Sequence, residues 1–594
     1  MIRLREGIPA SPGIVIGPAR VLRMEMPVVP HGGVIAVDQV EAEVERFYRS
    51  VEAVKEQIRR LQDATRSNLG SVEAQIFEPQ LLMLEDSDLV GGTASYIREN
   101  HLTAERAFEW RILEWEAQWS HTAHPMVLDK LNDLGDIQGR VLRHLLGIEE
   151  LDLDRVVGSS RVIVIARELT PSIAAQLDVT KVIGLATDTG TRQSHSSILA
   201  RSLKVPAVVS LGTLSDEIQN GDEVILDGRS GRLIIHPTEE EKERYRELDF
   251  QIREWEQELL LLAHLESCTQ DGVHISLRAN IDMPGEAANA RGHGAEGVGL
   301  FRTEFLVIGR NAVPPEEEQF QAYRQVIEAF PDQPVVIRTY DLGGDKFPAF
   351  LNMPKEENPF LGWRAIRLCL DEPDLFRAQL RALLRSSEFG DLRIMLPLIN
   401  EIDEVLRTRA LLDECVLELA EEGIPVRRPY VLGAMIETPA AAITAVELAK
   451  HVDFFSIGTN DLVQYTLAVD RGNSRLAALY NSFHPAVVRL LYSITQAGRD
   501  AGIEVSVCGE LAANPLGAFL LIGMGVDSLS VGPAALAEIK KLIRSVSRER
   551  AAAAAAEAIR AATADEITAI LMAHIQQDVD LARFAGSWNI ARSN

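Results

Sequence analysis

YVLGAMIETPAAAITAVELAKHVDFFSIGTND (430–461) opens on an apolar run, passes through a helical pattern and closes on a second apolar run, with Glu437 and Asp461 at or just beyond the two run ends. Parallel strands need a crossover between them, so this strand, helix, strand order predicts two parallel neighbours. The order extends in both directions. HISLRAN (274–280), GVGLF (297–301), PVVIR (334–338) and LRIML (392–396) come before it, and IEVSV (503–507) and DSLSV (527–531) come after, with helical patterns between them. Eight such runs predict a closed parallel (β/α)8 barrel of the TIM type. Chemistry in these barrels gathers at the C-terminal strand ends, where Arg302, Arg338, Glu437, Asp461 and Cys508 stand.

Those five side chains form an anion-binding, metal-binding and acid set drawn from different strands. Arg302 and Arg338 each offer a planar fork of donors suited to phosphate or carboxylate, and Arg471 in AVDRGN (468–473) adds a third cation. Alone, either strand-end arginine serves equally well in a structural salt bridge. Glu437 and Asp461 are hard oxygen ligands of the kind that hold Mg²⁺ together with substrate oxygens, although a single acid after a strand is often a helix cap. Asn460 presents a neutral amide to an anion without adding repulsion. Cys508, in SVCGE before Gly509, offers a thiol proton to a carbon that must gain one, whereas an isolated buried cysteine is ordinarily inert packing.

The N-terminal half has a different rhythm. Val40, Val44, Phe47, Val51, Val54, Ile58 and Leu61 alternate steps of four and three, the pattern of a long amphipathic helix, and more helix is expected through Leu81 to Leu84 and Phe108 to Trp119. Core packing is the expected role of Trp110, Trp115 and Trp119. Short β-branched runs follow at 161–165, 181–185, 206–210, 223–227 and 232–236, and the opening GIPASPGIVIGPA (7–19) is strand-like too. These predict a discontinuous α/β domain, residues 1–25 and 146–236, interrupted by a helical domain, 26–145. Thr238 and Glu241 form a capping-box signature ahead of a linker helix in 237–265, whose apolar seam either connects domains or packs in an oligomer. The barrel is assigned to 266–578 and a tail to 579–594, with a helix expected through the Ala-rich 551–560.

In GTRQSHSSILARSLKVPAVV (190–209), His195 stands after a Gly-containing loop and before an amphipathic helix. Free N–H groups and the dipole at a helix start favour a phosphoryl group there, and they favour a neutral, nucleophilic imidazole. Capping is the alternative role for this histidine; zinc is discounted because no Cys or His stands at ligand spacing.

With 594 residues, 46% of them hydrophobic and 25% charged, the chain is expected to be a multidomain globular protein. A formal net charge of −27 argues against nucleic-acid binding. Four unpaired cysteines and the lack of a signal peptide or long apolar run lead to the expectation of a cytoplasmic protein without membrane insertion.

At LTPS (169–172), SHSSILARSLKVPAV (194–208), GAEGVGLFRTEFL (294–306), EEEQFQAY (316–323), IRTYDLGGDK (337–346), KEENPFLGWRAIR (355–367), IETPAA (436–441), DFFSIGTNDLVQYTLAVDRGN (453–473) and CGELA (508–512) the chain resembles enzyme I of the bacterial sugar phosphotransferase system. The resemblance implies a phosphoenolpyruvate–protein phosphotransferase. In that reading His195 is the phosphoryl acceptor, Glu437 and Asp461 the Mg²⁺ ligands and Cys508 the proton donor, with Arg302, Arg338, Asn460 and Arg471 binding substrate. It also implies a swivelling α/β phosphohistidine domain, a helical surface that docks the phosphocarrier HPr, and a homodimer formed through the barrel. The run Gly190, Thr191, Arg192, Gln193, Ser194, His195 departs from the family's usual double glycine and Thr-Ser-His, and the stretch after Ser530 is also less typical. Competing expectations are a nitrogen-regulatory phosphorelay paralogue, or a phosphoenolpyruvate synthase or dikinase-like enzyme lacking its nucleotide domain.

Overall fold

A computed structural model describes residues 4–584 apart from 23–25, 31, 69–73, 121–124, 149–160, 170–172, 174–176, 179, 192–193, 308–309, 311, 344–355 and 472. The side chain of His195, with those of a few other residues inside helices, lies outside that description, as do parts of the LTPS, DLGGDK and KEENP stretches. The chain divides into two compact units, Met1–Arg253 and Glu254–Asn594. Among the described residues no helix is long and apolar enough to cross a membrane.

The first unit holds an eight-stranded mixed sheet. Its strands are β1 (Leu4–Glu6), β2 (Ile8–Ser11), β3 (Ile14–Leu22), β4 (Val162–Ala166), β5 (Val182–Thr187), β6 (Ala207–Val209), β7 (Glu223–Asp227) and β8 (Arg232–Ile235), in the spatial order β1-β8-β7-β3-β4-β5-β6-β2. β3 pairs in parallel with β4, Ala19 facing Ile163, and antiparallel with β7, Ile14 facing Asp227. Strands from before and after the helical segment therefore share one sheet. All five residues of β4 are buried, which is why VIVIA reads as an unbroken apolar run.

Between β3 and β4 stand α1 (Val40–Asn68), α2 (Glu78–Glu85), α3 (Ser87–Asn100), α4 (Ala104–Ser120) and α5 (Pro125–Leu146). Phe47, Val51, Val54 and Ile58 of α1 form its buried stripe and share a core with Phe108 and Ile112 of α4. Of the three tryptophans expected in this core, Trp115 is buried and donates its indole N–H to Asp88 at 3.2 Å. Trp110 is 49% exposed because it falls on the opposite face of α4, and the Trp119 side chain lies outside the described residues.

Helix α6 (His195–Ser202) precedes β6, and α7 (Glu239–Leu262) follows β8. The Thr238–Glu241 capping box forms, with Thr238 N donating to Glu241 Oε2 at 2.7 Å and Glu241 N to Thr238 Oγ1 at 3.2 Å. The N-terminal part of α7 packs Tyr245 with Ile14, Ile225 and Ile234. Its C-terminal part sets Trp255 edge-on to Phe584 at 5.1 Å, so the first residues of the predicted tail are seated in the second unit; residues 585–594 lie outside the description.

The second unit is a closed barrel of eight parallel strands, β9 (Ser276–Ile281), β10 (Val298–Arg302), β11 (Pro334–Arg338), β12 (Asp391–Leu396), β13 (Val431–Ile436), β14 (Phe454–Ile457), β15 (Glu504–Val507) and β16 (Ser528–Val531). It closes where β16 pairs with β9, Ser528 facing Ser276. At its base Glu504 accepts from Arg278 and Arg393, each at 2.6 Å, forming a charged plug. Burial opposes the charge on Glu504, but the two guanidinium groups outweigh it and hold the carboxyl below its usual range. The Ala-rich segment is a helix, Arg548–Ala558, and its small residues allow close approach to Gly523, where an added Cβ would meet Ala551 O at 2.1 Å.

Candidate functional site

Every candidate assigned to a strand end is found at the same mouth of the barrel. Arg302 and Arg338 are the last residues of β10 and β11, Glu437 follows β13, and Cys508 follows β15. Asp461 sits in the first turn of α8 (Thr459–Leu467), which starts directly beyond β14.

Arg338 is buried and donates to Glu304 Oε1 at 2.7 Å, with Asp341 Oδ2 at 3.2 Å. Arg364, also buried, holds Asp341 Oδ1 at 2.8 Å and reaches Asp461 Oδ2 at 3.4 Å. Arg471 Nη1 approaches Asp461 Oδ1 from the other side at 3.5 Å. Burial works against both buried guanidinium charges, yet the surrounding carboxylates raise both pKa values, so both remain cationic. Arg302 is only partly buried and pairs with Asp282 at 3.2 Å. Asn460 is tied to Glu510, accepting the Glu510 N–H at 2.9 Å, so its amide is oriented by the loop after Cys508.

Glu437 is buried with its Oε1 accepting the N–H of Leu398 at 2.7 Å. Leu398 reaches it from the left-handed region, φ 54°, a conformation a branched residue rarely adopts and one that is typically held at functional sites. Burial, then the charges of Asp461 and Asp341, push the Glu437 carboxyl well above the usual range against the pull of Arg338 and Arg364. Asp461 Oδ1 is buried and accepts no hydrogen bond. These two neighbouring acids, Glu437 disfavoured as an anion by burial and Asp461 with an oxygen that accepts no hydrogen bond among the described residues and faces Arg471 at 3.5 Å, supply hard oxygen donors that fit a divalent cation. Among the described residues no group of three or more acids, His or Cys forms a metal cluster.

Gly458 lets β14 pass directly against this acid. A Cβ there would stand 2.6 Å from Glu437 Oε2 and 2.9 Å from Glu437 Cβ. Gly458→Ala is expected to displace the Glu437 carboxylate, lowering turnover far more than stability, which should fall by about 1–3 kcal/mol. Comparing the denaturation midpoint with the turnover rate checks this, and equal losses in both would contradict it.

Cys508 is buried beneath these groups with Met395, Met435 and Phe454. Ser456 Oγ donates to its sulfur at 3.3 Å, and the thiol donates to Ile457 O at 3.7 Å. Burial pushes the thiol pKa up, Glu437 adds to the rise, and Ser456, Arg338 and Arg302 oppose it, so the group is protonated at neutral pH. Asn280 braces the loop, donating to Cys508 O at 2.9 Å and accepting from Ser530 at 2.6 Å.

Arg364, Asp341 and Glu304 join the site although sequence reasoning does not single them out. Arg364 carries no sequence signal of its own; only the structure shows that Ala365 beside it adopts φ 53° in a non-glycine position. The acids had none beyond lying two or three residues after Arg302 and Arg338.

The His195 side chain lies outside the described residues, but its backbone heads α6. The preceding loop is tied to that helix, with Ser194 Oγ donating to Thr191 O at 2.9 Å and the buried Ser197 Oγ to the same carbonyl at 2.6 Å.

Three family descriptions match in order: PEP-utilising enzyme, N-terminal, over residues 6–126; the mobile domain over 158–231; and the PEP-binding domain over 256–548. The chain is 42% identical to the phosphoenolpyruvate-protein phosphotransferase of Haemophilus influenzae, over 95% of this chain and 98% of that one. The chain belongs to the phosphoenolpyruvate-protein phosphotransferase family. A family member from Bacillus sp. is 41% identical over 95% of this chain and 97% of its own. A solution structure of an Enzyme I protein aligns at 33% identity and TM-score 0.34, covering 41% of this chain and 98% of that one.

Proposed function

We propose that this family member takes the phosphoryl group of phosphoenolpyruvate onto His195 and passes it to a histidine of the phosphocarrier HPr, releasing pyruvate as the first step of sugar uptake. The observation that carries this reading is the meeting, at one barrel mouth, of buried cationic Arg338 and Arg364, the carboxylates Glu437 and Asp461, and a protonated Cys508 thiol.

Arg302, Arg338, Arg471 and Asn460, with Arg364, would bind the substrate phosphate and carboxylate and hold phosphorus in line for attack. Glu437 and Asp461 would hold Mg²⁺, whose positive charge neutralises the phosphoryl oxygens as the leaving group departs. The imidazole lone pair of His195 forms the N–P bond while the bond from phosphorus to the enol oxygen breaks. The Cys508 thiol then gives its proton to the methylene carbon of the enolate, yielding pyruvate, and the thiolate regains a proton from solvent. His195 and the barrel belong to different compact units, so the units must meet for loading and part for delivery.

The helical domain is proposed as the surface that receives HPr, and the barrel as the surface that forms a cytoplasmic homodimer. The deciding experiment mixes the full chain, Mg²⁺, labelled phosphoenolpyruvate and HPr, without ATP. Label moving to HPr with stoichiometric pyruvate is the expected result; a requirement for ATP would refute the reading in favour of a dikinase. Chelation with excess EDTA is expected to stop labelling of the chain and added Mg²⁺ to restore it, whereas unchanged labelling under EDTA would remove Glu437 and Asp461 from metal binding.

A further inference from the structure

At the base of the barrel, opposite the mouth, a cavity of about 470 Å³ opens beside the first residues of β15 and β16 and is lined by Thr495, Arg499, Glu504, Asp527 and Arg548 among others. Arg499 comes from the last turn of the helix Pro485–Ala501, and Arg548 opens the helix Arg548–Ala558. The two guanidinium groups converge. A Cβ at Gly525 would stand 1.8 Å from Arg499 Nη2 and 3.0 Å from Arg548 Nη2, so both groups reach the same point beside Gly525. Arg499 is exposed and Arg548 half-buried, so solvent screens part of the repulsion between them, and an anion between or beside them relieves the rest.

Two carboxylates, Glu504 and Asp527, share the cavity, but among the described residues neither forms an ion pair with Arg499 or Arg548. Glu504 is committed to Arg278 and Arg393 at 2.6 Å each. Asp527 accepts the Val505 N–H at 2.8 Å, and Asp271 accepts the N–H groups of Arg548 and Glu549 at 2.9 and 3.0 Å. Among the described residues the Arg548 side chain makes no hydrogen bond or ion pair, and Arg499 makes only a bond to Met524 O at 3.1 Å. In a chain with a net charge of −27, two converging arginines without a carboxylate partner are an unusual use of positive charge. Capping of the Met524 carbonyl accounts for Arg499 alone; it gives no reason for Arg548 to face it.

We propose that this base cavity is a second anion site, distinct from the mouth, which takes a phosphate group through the paired forks of Arg499 and Arg548. Tetrahedral phosphate offers each fork two oxygens, and its double charge relieves the repulsion between them. The phosphate belongs either to free inorganic phosphate or to a small phosphate ester.

The test uses the full-length chain carrying His195→Ala, with phosphoenolpyruvate present at saturation to occupy the mouth. Labelled inorganic phosphate and, in parallel, glycerol 3-phosphate are titrated by equilibrium dialysis. A saturable site is expected that weakens about tenfold or more with Arg548→Gln and recovers only in part with Arg548→Lys, which restores the charge but not the fork. Because the Arg548 side chain makes no hydrogen bond or ion pair among the described residues, this variant should leave the melting temperature unchanged. Whichever ligand binds more tightly identifies the source. Absence of saturable binding, or binding indifferent to Arg548→Gln, overturns the proposal; phosphate bound only at the mouth gives the second result, so failure here is separable from failure of the phosphotransferase reading.

Discussion

Replacing His195 with alanine is expected to abolish the acid-labile, base-stable label that phosphoenolpyruvate leaves on the protein, and with it all transfer to HPr. A phosphorylated imidazole has those stabilities because protonation makes the ring a good leaving group while hydroxide does not attack the dianion. The loss should be complete, since no partial function survives without the accepting nitrogen. The fold should be spared, because the loop before α6 is fastened by Ser194 and Ser197 to the Thr191 carbonyl, bonds that do not involve the imidazole. Circular dichroism and the affinity of the barrel for phosphoenolpyruvate serve as controls, and both should match the parent. Label that persists in the variant would move the acceptor elsewhere.

Cys508→Ala is expected to slow pyruvate formation by roughly 10²–10⁴-fold, the usual worth of a positioned general acid. Binding of phosphoenolpyruvate should change little, because the arginines proposed to hold it are untouched, so the effect falls on turnover and not on KM. Removing the sulfur from the cluster with Met395, Met435 and Phe454 costs about 1 kcal/mol of stability, too little to explain such a rate loss. A sharper readout is the stereochemistry of the new methyl group. With substrate carrying hydrogen isotopes, the parent enzyme should protonate one face of the methylene carbon, and the variant should give a racemic methyl from protonation in solution. Retained stereochemistry would show that Cys508 only packs the barrel.

Much of this site was legible before any fold was known. The eight barrel strands were readable because strands buried on both sides are continuous apolar runs, and PVVIR and IEVSV end where the structure ends them, at Arg338 and Val507. Strand ends in a parallel barrel all face one way, so naming them placed Arg302, Arg338, Glu437 and Cys508 at one mouth without any distance being known. Arg364 was not readable in the same way. It reaches Asp461 from nearly a hundred positions away in the chain, and an arginine after a tryptophan carries no periodic signal. Trp110 misled for a related reason, since a tryptophan on a helix signals burial only if its face is the packed one.

By itself the sequence determined the order of elements, the polarity of the barrel and the residue types at its mouth, because those follow from local hydrophobic period and from the chemistry of each side chain. Tertiary structure alone decided which charges neutralise which: that Asp341 and Asp461 are bridged by Arg364, that Glu437 is bound by the Leu398 N–H, and that Arg499 and Arg548 meet at the base. Electrostatic energy depends on separation in space and on burial, and neither quantity is written in the spacing of residues along a chain.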